Sequence, residues 1–306
     1  MMARMNTEKG GLLRMYVNLK IKKPIFIFFV AAAFILMWLP LSYGTNIIFS
    51  SVSESADTVR LPILMYHSIL KTNRSKGKFV ISPDVFEGDL KYIKENGYTT
   101  IVMQDLINYV YENKDLPEKP IMLTFDDGYY NNYLYAFPLL KKYECRIVLS
   151  PIGKQTDIYS ENKDKNPNYA HCSWDELKEM QDSGLVEIQN HSYNMHTITR
   201  KRCGTKKNRS ESFEHYQNAL CSDIDLMQNR VSDFLDTTPT TFVFPFGAVS
   251  KCSLDILHQM GFKATLSCEG KINKLTKTPE GLYGLYRILR PPNTSSESFF
   301  KNKIEK

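Results

Sequence analysis

Two adjacent carboxylates, Asp126 and Asp127, directly follow the apolar segment 121–123 and precede Gly128. Neighbouring carboxylates repel each other, so such a pair usually needs a cation or a proton to be stable. One aspartate can bind a metal ion while the other stays free as a base. The alternative is an ordinary turn from a strand into a helix, where Asp and Gly are common. The pair alone leaves both interpretations open.

A pair of histidines offers the cation-binding partners that these carboxylates would need. His191 and His196 are five residues apart, a spacing that does not place both imidazoles on one helical face and therefore indicates a loop. With one aspartate they would form a mixed site of two nitrogens and one oxygen, which suits zinc and is tolerable for cobalt or nickel. Three protein ligands leave positions for water and a substrate oxygen, as in catalytic metal sites.

Strand-like and helix-like segments alternate seven or eight times along the chain, without an internal repeat. This order favours a parallel α/β architecture, either a barrel or a doubly wound sheet. Both architectures place their sites beyond the carboxyl ends of the strands. The residues near predicted strand ends that can do chemistry are His67, Asp126, Asp127, His191, His196, the segment 245–247, Arg287 and Arg290. Their concentration at these ends favours an active site over an ordinary turn.

The net charge of +6 lies mostly at the N-terminus. Residues 1–23 contribute +5, which leaves about +1 over the other 283 residues. We therefore expect no strong basic field on the main domain, and nucleic-acid binding is not predicted. None of the six cysteines has a C-x-x-C spacing, which argues against a zinc knuckle and leaves disulfides open.

An apolar segment follows the basic N-terminus. Residues 25–39 are apolar throughout and lie between two prolines, which describes either a cleaved signal peptide or a signal anchor. The apolar character extends with small interruptions to residue 49, which is long enough to span a bilayer. We favour an uncleaved anchor in the cell membrane, with the basic end in the cytoplasm and the main domain outside. If the segment is cleaved, the domain is secreted.

Two motifs together resemble a known family. The sequence reads T-F-D-D-G at 124–128 and, about 65 residues later, N-H-S at 190–192 with a second histidine at 196. This combination resembles the polysaccharide deacetylase (NodB-homology) family, carbohydrate esterase family four, over about residues 61–290. The resemblance implies a (β/α)7–8 barrel-like domain that uses a divalent metal ion, with zinc expected, to hydrolyse N-acetyl groups of polysaccharides.

The resemblance also implies roles for individual residues. Asp126 matches the general base of the family, and Pro245-Phe246-Gly247 matches its Pro-aromatic-Gly segment. In that segment the backbone N–H of Phe246 would stabilise the oxyanion. The implied metal ligands are Asp127, His191 and His196. Tyr129, Pro245 and Trp174 are expected at the sugar-binding surface, with core packing as the alternative for Tyr129 and Trp174.

The chain departs from the family pattern in two places. No L-x-H motif follows the seventh predicted strand; instead, Met-Tyr-His at 65–67 resembles permuted members that deacetylate extracellular poly-N-acetylglucosamine. His67 is therefore expected to protonate the leaving amine, the alternative being a strand-end histidine bonded to the backbone. The arginine that usually orients the base is Val243 here, so Arg287 or Arg290 would have to replace it.

The sequence therefore predicts a membrane-anchored deacetylase that acts on polysaccharide containing N-acetylglucosamine, of the peptidoglycan or poly-N-acetylglucosamine type. An O-acetyl esterase of the same fold and an inactive carbohydrate-binding protein are the alternatives. The predicted order is a basic cytoplasmic segment, a membrane-spanning or signal segment, a linker, the catalytic domain and a polar solvated tail. These segments cover residues 1–23, 24–45, 46–60, 61–290 and 291–306. The polar segment 153–170 is predicted as a surface loop.

Overall fold

Parallel strands form the centre of the protein, whose computed structural model describes residues 58–71 and 77–306. The strands are β1 (Val59–Leu61), β2 (Ile63–Tyr66), β3 (Ser68–Ile69), β4 (Val80–Ile81), β5 (Thr99–Ile101), β6 (Pro120–Asp127), β7 (Ile147–Pro151), β8 (Val186–Ile188), β9 (Thr241–Val243), β10 (Ala264–Leu266), β11 (Asn273–Leu275) and β12 (Ile288–Leu289). The α-helices are α1 (Pro83–Glu95), α2 (Met103–Tyr111), α3 (Phe137–Tyr143), α4 (Gly153–Asn162), α5 (Trp174–Asp182), α6 (Phe213–Leu235), α7 (Lys251–Gln259) and α8 (Ser296–Phe299).

The longest strand, β6, organises the sheet. It pairs in parallel with β2, β5 and β7, while β12 extends the sheet beyond β2 and β8 extends it beyond β7. Strands β9 and β10 form a second parallel pair. Parallel bridges Asn190–Phe242 and Leu266–Leu285 connect this pair to the end of β8 and to the segment before β12. Seven of the described strands thus close into a barrel-like ring, and the predicted parallel α/β architecture is confirmed.

The register of the ring brings three strand ends to one level. Tyr66 of β2 lies opposite Phe125 of β6, and Asp126 lies opposite Ser150 of β7. All eight residues of β6 are buried, as expected for a parallel strand that is covered on both faces. The next residue after β2, His67, therefore emerges beside the two aspartates that end β6.

Helix ends follow the signals in the sequence. Ser82 caps α1 by accepting a hydrogen bond from the Val85 N–H, and Pro83 occupies the first turn. Gly97, with φ of +71°, follows the end of this helix, because glycine adopts the left-handed conformation without strain. A capping box at the start of α5 is formed by Ser173 and Glu176, as predicted.

Two segments differ from the sequence-based expectation. The predicted loop 153–170 contains α4, whose buried residues are Gly153 and Thr156 rather than an apolar stripe, so no hydrophobic periodicity marked it. The predicted tail 291–306 contains α8 and a further helical turn, Phe300–Ile304. Its residues Phe299, Phe300 and Ile304 are buried in the main core.

The tail prediction was wrong because a few apolar residues are dispersed among lysines and serines. Phe300 stacks on Tyr92 of α1 at a ring-centroid distance of 4.5 Å. At the other end of the domain, the predicted linker 46–60 runs into β1, which pairs antiparallel with β11. Both ends of the described domain are thus tied to its core.

The predicted segments 1–23 and 24–45, and most of 46–60, lie outside the described residues. Within the part of the chain that the structure describes, no helix combines the length and the apolar character needed to cross a membrane.

Candidate active site

An ion pair orients the first aspartate of β6. The guanidinium of Arg287 donates hydrogen bonds of 2.6 and 2.8 Å to the two carboxylate oxygens of Asp126, and both side chains are buried. Arg287 is itself fixed, because its Nε donates to the carbonyl oxygen of Ser267 at 2.8 Å. Burial alone would raise the pKa of Asp126, but the Arg287 charge holds this pKa below its usual value. Asp126 is therefore an ionised carboxylate with a fixed orientation.

The second aspartate faces two histidines. The side chains of Asp127, His191 and His196 offer ligand atoms that all lie within 4.8 Å of one another. The distances to Asp127 Oδ1 are 3.1 Å from His196 Nε2 and 3.6 Å from His191 Nε2. Asp127 has a φ of +70°, so the chain turns at this residue and the two adjacent carboxylates serve different partners.

The donor atoms of this cluster suit a metal ion. His191 Nδ1 lies 2.7 Å from the carbonyl oxygen of Val243 and must donate to it, which leaves the lone pair of Nε2 directed at the cluster. Asp127 Oδ1 and His191 Nε2 are buried without a hydrogen-bond partner. Buried polar atoms are rarely left in that state, and a cation between them would satisfy both. The residues present therefore fit a divalent metal ion.

His67 lies on the other side of the first aspartate. Its Nε2 is 3.8 Å from Asp126 Oδ2, and its ring packs on Phe79 at a centroid distance of 4.6 Å. Burial lowers the pKa of His67 in spite of the nearby carboxylates. The ring Nδ1 has no hydrogen-bond partner, so the alternative of an imidazole bonded to the backbone does not describe this residue. The structure places His67 within reach of a group bound at Asp126.

The Pro-Phe-Gly segment forms another wall of the site. Phe246 has a φ of +58°, and its ring, 43% exposed, packs on His196 at a centroid distance of 4.2 Å. Gly204 supports the segment from behind, since a Cβ at this position would lie 2.7 Å from the Pro245 carbonyl oxygen. The left-handed backbone at Phe246 is thus held in place by close contacts on both sides.

Two predicted site residues lie elsewhere. Arg290 pairs with Asp89 of α1 at 2.8 Å, and both side chains are fully buried. Because Arg287 and Arg290 are three residues apart in an extended segment, their side chains point to opposite faces, and only Arg287 reaches Asp126. Trp174 is 2% exposed and donates from Nε1 to Asp157, so it belongs to the core and does not contact a sugar groove.

The sequence analysis did not identify His171. This residue donates from Nδ1 to the carbonyl oxygen of Asp127 at 2.9 Å and stacks on Tyr129 at a centroid distance of 4.7 Å. Tyr129 is half-buried beside Asp127. No motif surrounds His171 in the sequence, and its place beside β6 results from an isolated bridge between residues 129 and 171.

Comparisons with known proteins agree with this geometry. A family model of polysaccharide deacetylases matches residues 113–265, which is half of the chain. The Bacillus subtilis protein YxkH is 26% identical over 78% of this chain and 75% of its own length. Poly-beta-1,6-N-acetyl-D-glucosamine N-deacetylase of Escherichia coli is 24% identical over 70% of this chain, but the match spans only about a third of that protein.

A solved structure agrees as well. The de-N-acetylase from Aggregatibacter actinomycetemcomitans superposes with a TM-score of 0.68 at 27% identity, over 79% of this chain and 99% of that one. The ring of parallel strands thus has a counterpart in a solved structure, and most of the chain has counterparts by sequence. The chain belongs to the polysaccharide deacetylase family and is a deacetylase, an enzyme of the hydrolase class.

Proposed function

We propose that the protein hydrolyses N-acetyl groups of a polysaccharide containing N-acetylglucosamine, with a divalent metal ion bound by Asp127, His191 and His196. One observation carries the proposal: a carboxylate held by Arg287 lies directly beside this cluster, with a histidine 3.8 Å away. Base, metal ligands and a second proton-transfer group are the parts that amide hydrolysis requires. The similarity to the poly-beta-1,6-N-acetyl-D-glucosamine N-deacetylase of Escherichia coli supports N-acetylglucosamine as the sugar.

Zinc is the proposed ion, because two imidazoles and one carboxylate form the mixed donor set that zinc prefers; cobalt and nickel would be tolerated. A bound divalent ion would supply a water of lowered pKa and would polarise the acetamide carbonyl. The chain itself would provide the proton transfers and the orientation of the substrate.

Asp126 is proposed as the general base that takes the proton from the attacking water. Arg287 keeps this carboxylate ionised and aims it, and its two hydrogen bonds prevent rotation. The backbone N–H of Phe246 would donate to the carbonyl oxygen as negative charge develops there. The water oxygen then bonds to the acetyl carbon, and the proton resides on the base.

His67 is proposed to complete the reaction. An amine leaves poorly from an amide unless its nitrogen is protonated as the carbon–nitrogen bond breaks. His67 Nε2 lies close enough to Asp126 to act on a nitrogen bound between them. The products would be acetate and a glucosamine unit, with Tyr129 and Pro245 at the wall that contacts the sugar.

Two finer assignments also belong to this proposal. The polymer is of the peptidoglycan or the poly-N-acetylglucosamine type, and the N-terminal segment 24–45 anchors the chain in the cell membrane with the domain outside. The second assignment rests on the basic residues before this apolar segment. Cell fractionation tests the anchoring, since the domain should pellet with the membranes. Protease added to intact cells tests the orientation, since it should cleave a domain that lies outside.

The test of the activity is acetate release from N-acetylglucosamine oligomers by the full chain with added zinc. An O-acetylated xylan serves as the competing substrate, because an esterase of the same fold would prefer it. Preferential release from the amide supports the proposal, whereas a strong preference for the ester would replace it. The case for an inactive carbohydrate-binding protein rested on the arginine missing at position 243, and the ion pair between Arg287 and Asp126 supports Arg287 as its replacement.

A further inference from the structure

The positive charge of the domain is concentrated in one short segment. Residues 200–209 carry six arginines and lysines and no acid, and the rest of the chain after residue 23 therefore has a net charge of about −5. We name residues 197–211 the basic loop. Its cations are Arg200, Lys201, Arg202, Lys206, Lys207 and Arg209. Such a local excess repels itself unless anions neutralise it.

Most of these cations have no ion-pair partner among the residues that the structure describes. Arg202 pairs with Glu211, and the Lys207 ammonium donates to the carbonyl oxygens of Asn208 and Glu211. The other four, Arg200, Lys201, Lys206 and Arg209, are exposed, and none lies in an ion pair with a residue that the structure describes. Four charges are therefore available to a ligand.

Three of the four available charges, Lys201, Lys206 and Arg209, border open recesses in the surface. A cavity of about 610 Å³ lies between the basic loop and the start of α7. Its cations are Lys206, Lys207, Arg209 and Lys251, and Asp255 is its one carboxylate. A neighbouring cavity of about 710 Å³ includes Lys201 and Arg202, and Asn208 lines both. The two recesses thus adjoin along the loop, and Glu211, the partner of Arg202, is the one carboxylate in the lining of the second.

The basic loop is tied to the candidate active site at its start and in its middle. It begins directly after the metal-ligand candidate His196, and Gly204 packs against Pro245 and the Phe246 ring. The Lys207 N–H donates to Ser250 Oγ at 2.9 Å, which joins the loop to the cap of α7. A polymer bound at Phe246 would therefore extend over the cationic recesses.

We propose that the basic loop binds anionic groups, phosphate or carboxylate, carried by the polysaccharide substrate next to the acetylated sugar. This inference rests on the proposed function, because it assumes that the protein acts on a polysaccharide. A neutral N-acetylglucosamine chain has no charge to offer this surface, and its deacetylated product is cationic and would be repelled. An anionic chain would be attracted before and after the reaction. A lipid surface would also attract these cations, but the position of the basic loop directly after His196 and against Phe246 favours a ligand that continues from the candidate active site.

The experiment measures binding of three labelled polymers to the full chain by fluorescence anisotropy. The polymers are a neutral N-acetylglucosamine oligomer, an alternating N-acetylglucosamine–glucuronate oligomer that carries carboxylates, and an N-acetylglucosamine-substituted poly(glycerol phosphate). The test variant is Lys206→Ala/Arg209→Ala/Lys251→Ala. The matched control, Lys91→Ala/Lys274→Ala/Lys303→Ala, removes three exposed lysines from α1, β11 and the C-terminal helical turn.

We expect the chain to bind at least one anionic polymer about tenfold more tightly than the neutral one, with affinity that falls as salt rises. The test variant should lose about tenfold in affinity for that polymer, and the control should not. The preferred polymer identifies the source of the anion. In the test variant, kcat/KM for acetate release from the anionic polymer, divided by kcat/KM for the neutral polymer, should fall by about the same factor as the affinity.

Three results would overturn the inference. The first is equal binding of neutral and anionic polymers. The second is an equal loss of affinity in the test and control variants. The third is that the basic loop binds phosphatidylglycerol vesicles or single-stranded DNA in preference to any of the three polymers. Absence of acetate release from every polymer would instead refute the proposed function. The binding measurements would still decide whether the loop holds anionic sugar chains.

Discussion

Arg287 holds both carboxylate oxygens of Asp126, although 160 residues separate the two in the chain. The two hydrogen bonds are 2.6 and 2.8 Å long, and neither side chain reaches solvent to a significant extent. A charge so deeply buried is tolerated only with its partner in place. The family's usual arginine, two residues before the Pro-aromatic-Gly segment, is Val243 here, and Arg287 approaches the proposed base from the start of β12 instead.

Replacing Arg287 by methionine should therefore damage both stability and activity. The change leaves the Asp126 carboxylate buried without its partner, at a cost of about 3–5 kcal/mol in the free energy of unfolding. Arg290→Met is the matched control, because it breaks an equally buried pair with Asp89 away from the site. Denaturant titration should show similar losses for both, whereas acetate release by the folded fraction should fall only for Arg287→Met. Equal activity in the two variants would contradict the orienting role.

The proposed acid role of His67 predicts a dependence on the leaving group. His67→Ala should slow acetate release from an amide by roughly 10²–10⁴-fold, because the amine then leaves without a proton. An activated acetyl ester such as 4-nitrophenyl acetate needs no such proton, so its hydrolysis should fall far less. Steady-state kinetics on both substrates gives the ratio. If both rates fall by the same factor, His67 orients the substrate or supports the fold rather than donating a proton.

The proposed metal cluster predicts loss of zinc binding when one ligand is removed. His196→Ala should weaken zinc binding by at least the roughly 10–100-fold that loss of an outer supporting contact costs. His258→Ala, at an exposed position of α7, is the control. Calorimetric titration of the full chain measures affinity directly, and zinc should raise the melting temperature of the control variant more than that of His196→Ala. Unchanged zinc affinity in His196→Ala would place the metal elsewhere.

Much of this site was predictable because parallel strands share a carboxyl edge. That rule alone placed His67, Asp126 and His191 near one another. The choice between Arg287 and Arg290 was not predictable, because β12 is only two residues long and its register with β2 cannot be read from so short an apolar run. Arg287 and Arg290 are three residues apart, and this odd spacing places their side chains on opposite faces only if the segment is extended. The sequence did not show that it is extended.

The errors in the fold have a common physical origin. Helix α4 buries a glycine and a threonine, and the C-terminal turn buries Phe300 and Ile304 among charged neighbours. Hydrophobic periodicity detects neither, since each element contributes too few apolar residues to form a stripe. Tertiary contacts decide such elements: Phe300 is buried because Tyr92 of α1 lies opposite it.

A buried glutamate should make the basic loop sensitive to acid. Glu211 accepts a hydrogen bond from the Asn208 N–H at 3.1 Å and pairs with Arg202 and His215. Burial would raise the pKa of Glu211, but its hydrogen bonds from His215, Asn208 and Arg202 lower it below the usual value. Because the folded pKa lies below the unfolded one, the stabilisation is complete above pH ~4.3 and is lost as the pH falls through the folded pKa.

Glu211→Gln should accordingly melt about 2–4 °C below the unmodified chain at pH 6, and this difference should shrink as the pH approaches 3. Glu214→Gln, at an exposed position in the first turn of α6, is the control and should show no such dependence. Scanning calorimetry across pH 3–7 makes the comparison. A difference in melting temperature that stays constant with pH would show that Glu211 acts through packing alone.

The contact between Gly204 and the Pro-Phe-Gly segment predicts that one glycine affects catalysis and a similar one does not. Gly204 has a φ of +53°, and an alanine Cβ there would lie 2.7 Å from the Pro245 carbonyl oxygen. Gly97 has a φ of +71° with nothing within 4 Å of the same position. Alanine at either site costs roughly 1–2 kcal/mol for the left-handed backbone, so both variants should lose stability.

The two variants should differ in activity, because only the Gly204→Ala clash pushes on the segment that carries the Phe246 N–H. A displacement of about 1 Å at such a donor lowers the rate by as much as 10²-fold. Gly204→Ala should therefore lower kcat on N-acetylglucosamine oligomers, whereas Gly97→Ala should leave kcat near its original value. If both variants keep full activity while losing stability, the Pro-Phe-Gly segment accommodates the shift, and the Phe246 N–H does not stabilise the transition state.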